Sequence, residues 1–341
     1  MPSYHQLLPI LFKRFSILTA RRTLLPTLAY YARRPALPPS QKPALFTMNI
    51  LPPMMTVWHH CARKYLADSV DIVIFDCSGG LRAGEFPGAT VQKFLNRYAA
   101  TKSDEFVKHI ARNRRIAWIC DDDIFFVGAG ATERVLKELE EPKTASFSFR
   151  PRPWWRLEID GATYKPSGSY CIAFHREIFV ERERLSLAPA RGNPHPANYS
   201  RAPGNYDTGD LANELLLRKG YLCAILPDEE ESRYIAAFSG LSGAVMLLWH
   251  FRSADETLHY FRGPPKEAWE GNMLYGLLAS MLTIQIVQEC YTRLCGKPYP
   301  LPSLPSNIEL DRLRKEHEPF FGGGRNYRWV EEAGERLKKA L

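Results

Sequence analysis

The chain has 341 residues, 45% of them hydrophobic, and a formal net charge of +8, which allows one large globular domain with appendages. Its most apolar stretch, 273–287, is shorter than the run of about 18 residues that a membrane-spanning helix needs, so it predicts a buried helix. Residues 1–67 hold nine Lys or Arg and no Asp or Glu, and the remaining 36 basic and 37 acidic residues give −1. Because no basic stripe runs through the body, the composition argues against nucleic-acid binding.

The seven cysteines are odd in number and form no CxxC pair. This pattern favours free thiols in a reducing compartment over a disulfide framework, and we expect a cytoplasmic protein. No Cys/His cluster has the spacing of zinc ligands.

Residues 1–43 form a basic extension in which apolar clusters alternate with pairs of Lys or Arg. Pro9 and Pro26 are expected to interrupt any helix, and the prolines of 35–43 predict a linker. Three interpretations remain open: an amphipathic segment on an anionic membrane surface, an organellar transit peptide, and an extension that packs on the body or is disordered. Under the first, the protein is peripheral at the membrane surface.

The body begins near Ala44 and alternates strands with helices. Strands are predicted at 44–50, 70–75 and 116–120, and helices at 54–65, 90–100, 104–113 and 132–140. Alternation of this kind is typical of a parallel sheet flanked by helices. Ligands of such sheets bind beyond the carboxyl ends of the strands, where the end of the first strand, Asp76 and the run from Asp121 to Asp123 would meet.

The remainder of the chain carries more varied signals, and Asp160-Gly161 predicts a hairpin turn. Further predicted elements are a strand at 169–174, a surface loop at 186–206, a helix at 211–218 closed by Gly220, a strand at 221–226, an apolar run at 244–249, and helical sequence with a Pro-rich link at 298–305. We therefore expect a basic extension (1–43), an α/β domain (44–255) and a helical C-terminal region (256–341).

Asp121-Asp122-Asp123 is the most informative motif, because it lies between two short apolar runs at the end of a predicted buried strand. Three adjacent carboxylates repel one another unless a cation neutralises them. Oxygen ligands at this density suit Mg²⁺ or Mn²⁺, which in turn would hold a substrate phosphate. The alternative is a solvated acidic turn or a helix N-cap.

In their order, these features resemble the metal-dependent nucleotide-sugar glycosyltransferases of the GT-A fold, in a family-2-like branch. The resemblance covers 44–255 and is carried by Asp76, the three aspartates as a DxD-type motif, the segments 167–176 and 207–221, and His250. It implies a GT-A-like, Rossmann-like fold, in which a mostly parallel central sheet is flanked by helices and a helical C-terminal region follows.

The resemblance also implies a donor site for a UDP- or GDP-sugar, in which Mn²⁺ or Mg²⁺ stabilises the charge that develops on the leaving diphosphate. The implied metal ligands are Asp121, Asp123 and His250, and the implied donor-binding residues are Asn49, Ile50, Asp76, Asp121 and Asp122. Three consecutive aspartates leave the register of the motif open. The alternative role of Asp76 is that of a turn cap. The resemblance places His250 after the final sheet strand, and its alternative role is that of a core histidine.

A carboxylate base that opens the helix before a Gly-aromatic pair is implied as well, and Asp207 and Asp210 both fit that place. Asp210 is equally a good first-turn helix residue. Trp154 and Trp155 are candidates to stack on a sugar ring or an apolar acceptor, and their alternative is core packing on the hairpin.

The predicted activity is metal-dependent transfer of a sugar from a nucleotide-diphosphate donor to an unidentified hydroxyl acceptor, with inversion through a carboxylate base. One alternative is a haloacid-dehalogenase-like phosphatase with Asp76 as nucleophile, although that motif needs a second Asp where Ser78 stands. Others are a non-catalytic, membrane-docked binding protein on a degenerate GT-A domain, and a sugar-nucleotide nucleotidyltransferase, whose Gly-rich phosphate loop is missing from 49–54.

Overall fold

A seven-stranded sheet lies at the centre of this computed structural model, which describes residues 4–152, 156–190, 206–238, 240–261, 268–321 and 325–341. In chain order the strands are β1 (Ala44–Asn49), β2 (Asp71–Asp76), β3 (Ala89–Lys93), β4 (Ile116–Cys120), β5 (Ile124–Phe126), β6 (Thr144–Ser148), β7 (Leu157–Ile159), β8 (Ala162–Tyr164), β9 (Cys171–His175), β10 (Leu222–Ile225) and β11 (Ile235–Ala237). The helices are α1 (Tyr4–Arg33), α2 (Pro52–Leu66), α3 (Ala99–Glu105), α4 (Ala131–Glu138), α5 (Asp210–Arg218), α6 (Glu231–Tyr234), α7 (Ser242–His250), α8 (Ala254–Tyr260), α9 (Ala268–Cys295), α10 (Asn307–His317) and α11 (Arg328–Ala340).

The strand order of the central sheet is β10-β6-β9-β4-β1-β2-β3. Neighbours pair in parallel except at β9, which runs antiparallel to both β4 and β6. The prediction of a mostly parallel α/β sheet with a helical C-terminal region is therefore confirmed. Two short antiparallel pairs accompany the sheet: β5 with β11, and the β7–β8 hairpin, which turns at the predicted Asp160-Gly161.

Both faces of the sheet are covered, as the near-continuous apolar sequence of its inner strands requires. Alternate residues of β1 enter opposite cores: Leu45 packs with α2, α7 and α9, whereas Phe46 packs against the opposite face. Ile74 and Phe75 of β2 divide in the same way, because successive side chains of a strand point to opposite faces. The sheet is thus the rigid middle layer that fixes what stands at its carboxyl edge.

The predicted helix at 90–100 is wrong, because this segment forms β3 and then an irregular stretch before α3. Thr90 and Val91 are β-branched, and in the sequence they compete with helix-forming neighbours; pairing with Val73 and Ile74 of β2 decides the outcome. The predicted helix at 104–113 exists in part: α3 starts earlier and continues into a π-helical turn over Phe106–Ile110.

The expectation that Pro9 and Pro26 interrupt any helix is also wrong, since α1 runs through both. A proline inside a helix costs about 3 kcal/mol, so tertiary contacts must offset it. Near Pro26 the Gln92 side chain donates to the Pro26 carbonyl at 3.5 Å, and Tyr30 is buried in the core beneath the helix. Helix α1 thus packs on the body, as the third interpretation of 1–43 expected, and this packing does not test the other two.

The helix α9 contains the only segment of the described chain that could span a membrane by length and composition, Met273–Cys295, with a mean hydropathy of 1.3. Of its most apolar window, 56% is buried inside the protein, where α9 packs against α2 and α7. This agrees with the buried helix predicted at 273–287.

Candidate functional site

Three strands deliver polar residues to one edge of the sheet. β1 ends at Asn49 and β2 at Asp76, which are direct partners in the parallel register, and β4 leads straight into Asp121. Strands that run in parallel present their carboxyl ends at the same edge, which is where ligands of open α/β sheets bind. Asn49, Asp76 and the aspartate run are therefore brought together as the sequence predicted, although their roles need separate arguments.

Asp76 is fully buried and its carboxylate already holds the loop that follows it. Its Oδ1 accepts hydrogen bonds from Ser78 N, Ser78 Oγ and Gly79 N at 3.1, 2.6 and 2.9 Å, and its Oδ2 accepts one from Leu81 N at 2.9 Å. Asn49 Nδ2 adds a further donor at 3.3 Å. The geometry supports the turn-capping alternative for Asp76, which holds the loop at 77–81.

Asn49 reaches the same loop, because its Nδ2 also donates to Ser78 Oγ at 3.2 Å. Its Oδ1 is buried and has no hydrogen-bond partner among the described residues. Ile50, the next residue, is half-buried and packs against both cores. An unpaired amide oxygen at the sheet edge is a group that a ligand donor could satisfy.

The three aspartates form the tight turn between β4 and β5. Asp121 N donates to the Tyr170 carbonyl at 2.7 Å, and the Asp121 carbonyl accepts from Ile124 N at 3.1 Å. Asp122 and Asp123 are only 9% and 8% exposed. The solvated-turn alternative does not fit Asp122 and Asp123, because their carboxylates are largely removed from water, whereas Asp121 is half-buried.

Burial raises the carboxyl pKa values of all three, and repulsion from neighbouring aspartates adds to the rise at Asp121 and Asp122. The pKa of Asp122 rises to about 8, first through burial and then through Asp123. Burial raises the pKa of Asp123 to about 7, and burial together with both neighbours raises the pKa of Asp121 well above its usual range. Asp122 Oδ2 is buried without a hydrogen-bond partner in the described part of the chain. Ionisation of these carboxyls is therefore costly unless a cation lies beside them.

Lys102 places a cation near this turn, and no sequence pattern singles it out. Its side chain is 3% exposed, and Nζ lies 3.4 Å from Cys77 Sγ and 3.3 Å from Asn96 Oδ1. Its positive charge opposes the rise in the pKa of Asp121 and Asp122. A buried ammonium group near these carboxylates places a positive charge where it can contact an anionic ligand that enters the site.

The donor set fits Mn²⁺ or Mg²⁺ held by two carboxylates, because both ions accept hard oxygen ligands and leave room for substrate phosphate and water. Asp121 and Asp123 remain the candidate ligands, and the unpaired Asp122 Oδ2 is consistent with a cation nearby. In the described ranges, however, no three His, Cys, Asp or Glu side chains are arranged to hold a metal ion.

His250 does not occupy the position that the resemblance implied. It ends helix α7 instead of following a sheet strand. Arg14 Nη1 of α1 lies 3.1 Å from His250 Nδ1, and a guanidinium at that distance disfavours a second cation there. Burial and then Arg14 lower the pKa of the imidazole. The structure thus places His250 in the contact between α1 and α7.

Arg152 organises a second cluster, beside the aspartates, and was also missed from the sequence. Its side chain is 2% exposed, and Nε donates to Asp210 Oδ1 at 2.7 Å. The guanidinium also donates to Ser169 Oγ at 3.0 Å and to the Thr208 carbonyl. Burial lowers the pKa of Arg152, but the combined charges of Asp210, Tyr170 and Asp207, with the hydrogen bond to Asp210, outweigh it and raise that pKa. The alternating basic residues of the Arg-Pro-Arg-Pro run at 150–153 were the one sequence signal.

The two candidates for the base, Asp207 and Asp210, differ in their exposure and in their contacts. Asp210 opens α5, is 2% exposed, pairs with Arg152, and accepts from Asp207 N at 2.8 Å through its second oxygen. Asp207 has a side chain 47% exposed, lies 3.5 Å from Arg152 Nη1, and accepts from Tyr98 Oη at 2.8 Å. A base must reach its substrate, so the geometry favours Asp207, and Asp210 fixes the turn that presents it.

Two parts of the predicted site lie outside the described residues. These are Trp154 and Trp155, proposed to stack on sugar or acceptor, and most of the predicted loop at 186–206, of which 191–205 are not described.

Comparisons with known proteins add little to this geometry. No protein-family model matches the sequence, and no curated protein matches it. Among solved structures, the mannosyltransferase PcManGT from Pyrobaculum calidifontis, in complex with GDP-Man and Mn²⁺, is similar at 14% identity over 96% of each chain, with a TM-score of 0.38. Similarity at that TM-score carries no functional argument. Any proposal of function therefore rests on the chemistry of the site itself.

Proposed function

We propose that this chain is a metal-dependent glycosyltransferase that moves a sugar from a nucleotide-diphosphate donor to a hydroxyl acceptor. The observation that carries the proposal is the buried aspartate turn at the carboxyl edge of a parallel sheet, flanked by Lys102 and Arg152. Such an edge is the usual ligand position of this architecture. Surplus carboxylates with buried cations beside them suit a ligand that brings a divalent cation and a diphosphate together.

In the proposed site the donor's phosphates lie over the aspartate turn. Asp121 and Asp123 would hold Mn²⁺ or Mg²⁺, which when bound neutralises charge on the departing diphosphate. Lys102 adds a fixed positive charge from the protein side. Asn49 and the loop closed by Asp76 shape the adjacent part of the pocket, and a UDP or GDP donor is our proposal for what fills it.

The acceptor hydroxyl is a weak nucleophile and needs a base when it attacks the anomeric carbon. Asp207 is the proposed base, because its carboxylate is accessible and belongs to a turn that Arg152 holds in place. As the new C–O bond forms, the hydroxyl proton passes to Asp207 and the donor's C–O bond electrons leave with the diphosphate. Direct attack of this kind inverts the anomeric centre.

The phosphatase alternative is disfavoured by Asp76. A nucleophile must approach substrate phosphorus, but this carboxylate is fully buried and engaged by the loop that follows it. The non-catalytic scaffold alternative makes a different prediction, namely that nucleotides do not bind.

Calorimetric titration of UDP and of GDP, with and without Mn²⁺, tests the proposal. We expect binding of one nucleotide only with the metal present, and binding weakened roughly a hundredfold in Asp123→Ala, since a charged partner of the ligand is lost. His250→Ala is the matched control and should bind as the wild type does, because its imidazole contacts Arg14. If neither nucleotide binds under any condition, the glycosyltransferase proposal fails and the scaffold alternative replaces it.

Asp207→Asn separates catalysis from binding. We expect kcat to fall by about 10² to 10⁴, the usual contribution of a general base, with nucleotide binding and thermal unfolding unchanged because the side chain is half exposed. The comparison is Asp210→Asn, which should lower the unfolding temperature by uncoupling Arg152. Steady-state kinetics and calorimetry on both variants decide between them, and an unimpaired kcat in Asp207→Asn would remove this residue as the base.

A further inference from the structure

Helix α1 presents one face to the body and a very different face outward. Its buried positions recur every three or four residues, as expected for one side of a helix; they are Leu11, Phe15, Thr19, Thr23, Thr27 and Tyr30. The exposed apolar positions lie mostly on the remaining sides; they are Ile10, Phe12, Ile17, Leu18, Leu24, Leu25 and Leu28, between 37% and 76% exposed. Half of the inward stripe is threonine, whereas leucine and isoleucine dominate the outward side.

The hydroxyls of the buried threonines find their hydrogen-bond partners within the helix itself. A polar binding site therefore does not explain why the threonines face inward and the large apolar side chains outward. Thr19, Thr23 and Thr27 each donate their hydroxyl to the carbonyl four residues earlier, at 3.0, 2.9 and 2.7 Å. A surface helix of a soluble domain normally turns its large apolar side chains inward. At about 3.6 residues per turn, six of the seven exposed apolar side chains, all but Phe12, lie on the side of the helix away from the buried stripe. An exposed apolar face of this kind marks a membrane or protein contact.

The charge of the same segment favours a membrane contact over a protein contact. Lys13, Arg14, Arg21, Arg22 and Arg33 lie on α1 and are exposed, and no acidic residue occurs before Asp68. A protein partner would need a matching acidic and apolar surface, whereas an anionic bilayer provides negative headgroups and an apolar interior together. With 30 residues α1 is about 45 Å long, which suits a helix that lies in the plane of the interface.

The helix is fixed to the body beside the proposed donor site. Gly79, in the loop closed by Asp76, has a φ of +68°, and a Cβ there would lie 2.5 Å from Arg22 Cβ. Thr27 Oγ1 accepts from Leu95 N at 2.8 Å, and Tyr30 donates to Glu105 at 2.9 Å. A surface that holds α1 would therefore hold the catalytic edge close to it.

We propose that the outward face of α1 docks the protein onto the surface of a bilayer that contains anionic lipid. The apolar side chains enter the headgroup boundary, and the flanking Lys and Arg side chains pair with lipid phosphates and carboxylates. This inference does not depend on the proposed reaction, because it concerns a different surface and a different ligand.

The experiment is sedimentation of the full chain with vesicles of phosphatidylcholine alone and of phosphatidylcholine mixed with phosphatidylserine. We expect binding to the anionic vesicles, weakened by salt, and little binding to the neutral ones. Lys13→Glu/Arg21→Glu should weaken binding by roughly fivefold or more for each charge changed. Leu25→Ser/Leu28→Ser should weaken it by a similar or larger factor, since it removes the apolar contact and leaves the charge.

Lys315→Glu and Ile308→Ser are matched controls, because both residues are exposed on α10 and Ile308 is 83% exposed. Both should bind vesicles as the wild type does. Unchanged thermal unfolding of every variant shows that the fold is retained. The proposal is overturned if the wild type ignores anionic vesicles, or if the α1 variants bind as tightly as the controls. It is equally overturned if the chain is a dimer that Leu25→Ser/Leu28→Ser converts to a monomer without loss of vesicle binding.

Discussion

Arg152→Met is expected to lower the free energy of unfolding by about 3–5 kcal/mol, the usual effect of removing one partner of a buried ion pair. The guanidinium and Asp210 are 2% and 3% exposed and lie 2.7 Å apart. Methionine keeps much of the apolar stem, so the loss is chiefly electrostatic. It leaves the Asp210 carboxylate buried without its counter-charge and the Thr208 carbonyl without that donor. Urea unfolding at neutral pH measures the change.

The matched control is Arg182→Met, whose guanidinium makes an equally short contact of 2.6 Å with Glu177 on the surface. Exposed pairs contribute little, so this variant should unfold as the wild type does. A second variant, Arg152→Met with Asp210→Leu, should recover much of the lost stability, because it removes the unpaired charge. If Arg152→Met unfolds at wild-type urea concentrations, Asp210 is not paired as described, and Asp210 returns as a base candidate.

The sequence located Asp207 and Asp210 but could not choose between them, and this ion pair explains why. Both carboxylates precede the same helix, and local propensity treats them alike. What separates them is Arg152, which lies more than fifty residues earlier in the chain and pairs with Asp210 at the start of α5. Contacts of that sequence separation leave no local pattern to detect.

Much of the sheet could be predicted because hydrophobic pattern and fold agree there. β1, β2 and β4 are short, nearly continuous apolar runs, as strands covered on both faces are. β3 was missed because all five of its residues are partly exposed or exposed at the sheet edge, so it lacks that signal. α1 was misjudged for the opposite reason: its prolines are a strong local signal that contacts with the body override.

The aspartate turn could be predicted from the three consecutive aspartates alone, whereas the position of Lys102 near it could not. Adjacent like charges are improbable unless something compensates them, so the motif itself indicates a cation. Lys102 lies in a short helix of ordinary composition, and its importance comes from the position of α3 relative to β2 and β4. Tertiary packing decides which basic side chain lies near the aspartates, and the spacing of residues in the sequence carries no information about that packing.

Asp122→Asn is expected to stabilise the protein at alkaline pH and to leave it nearly unchanged at acidic pH. The pKa of Asp122 is about 8 in the folded protein, against about 3.9 for an exposed aspartate. Folding therefore favours the protonated carboxyl, and stability is lost as the pH rises through the interval between these values. At about 1.4 kcal/mol per pKa unit the loss is at most roughly 6 kcal/mol, and less where Asp121 and Asp123 share the proton.

Urea unfolding of wild type and Asp122→Asn from about pH 4 to about pH 9, a range that spans the two pKa values, measures this difference. Asparagine resembles the protonated acid, so the two proteins should agree at the acidic end and diverge towards the alkaline end. Asp68→Asn, at a carboxylate 80% exposed, should follow the wild type throughout. Parallel curves for Asp122→Asn and wild type would show that the carboxyl ionises normally. Mn²⁺ should remove much of the alkaline loss in the wild type, because a bound cation stabilises the ionised turn. The same instability that makes the unliganded aspartates costly would then be what makes them bind a metal ion and its diphosphate.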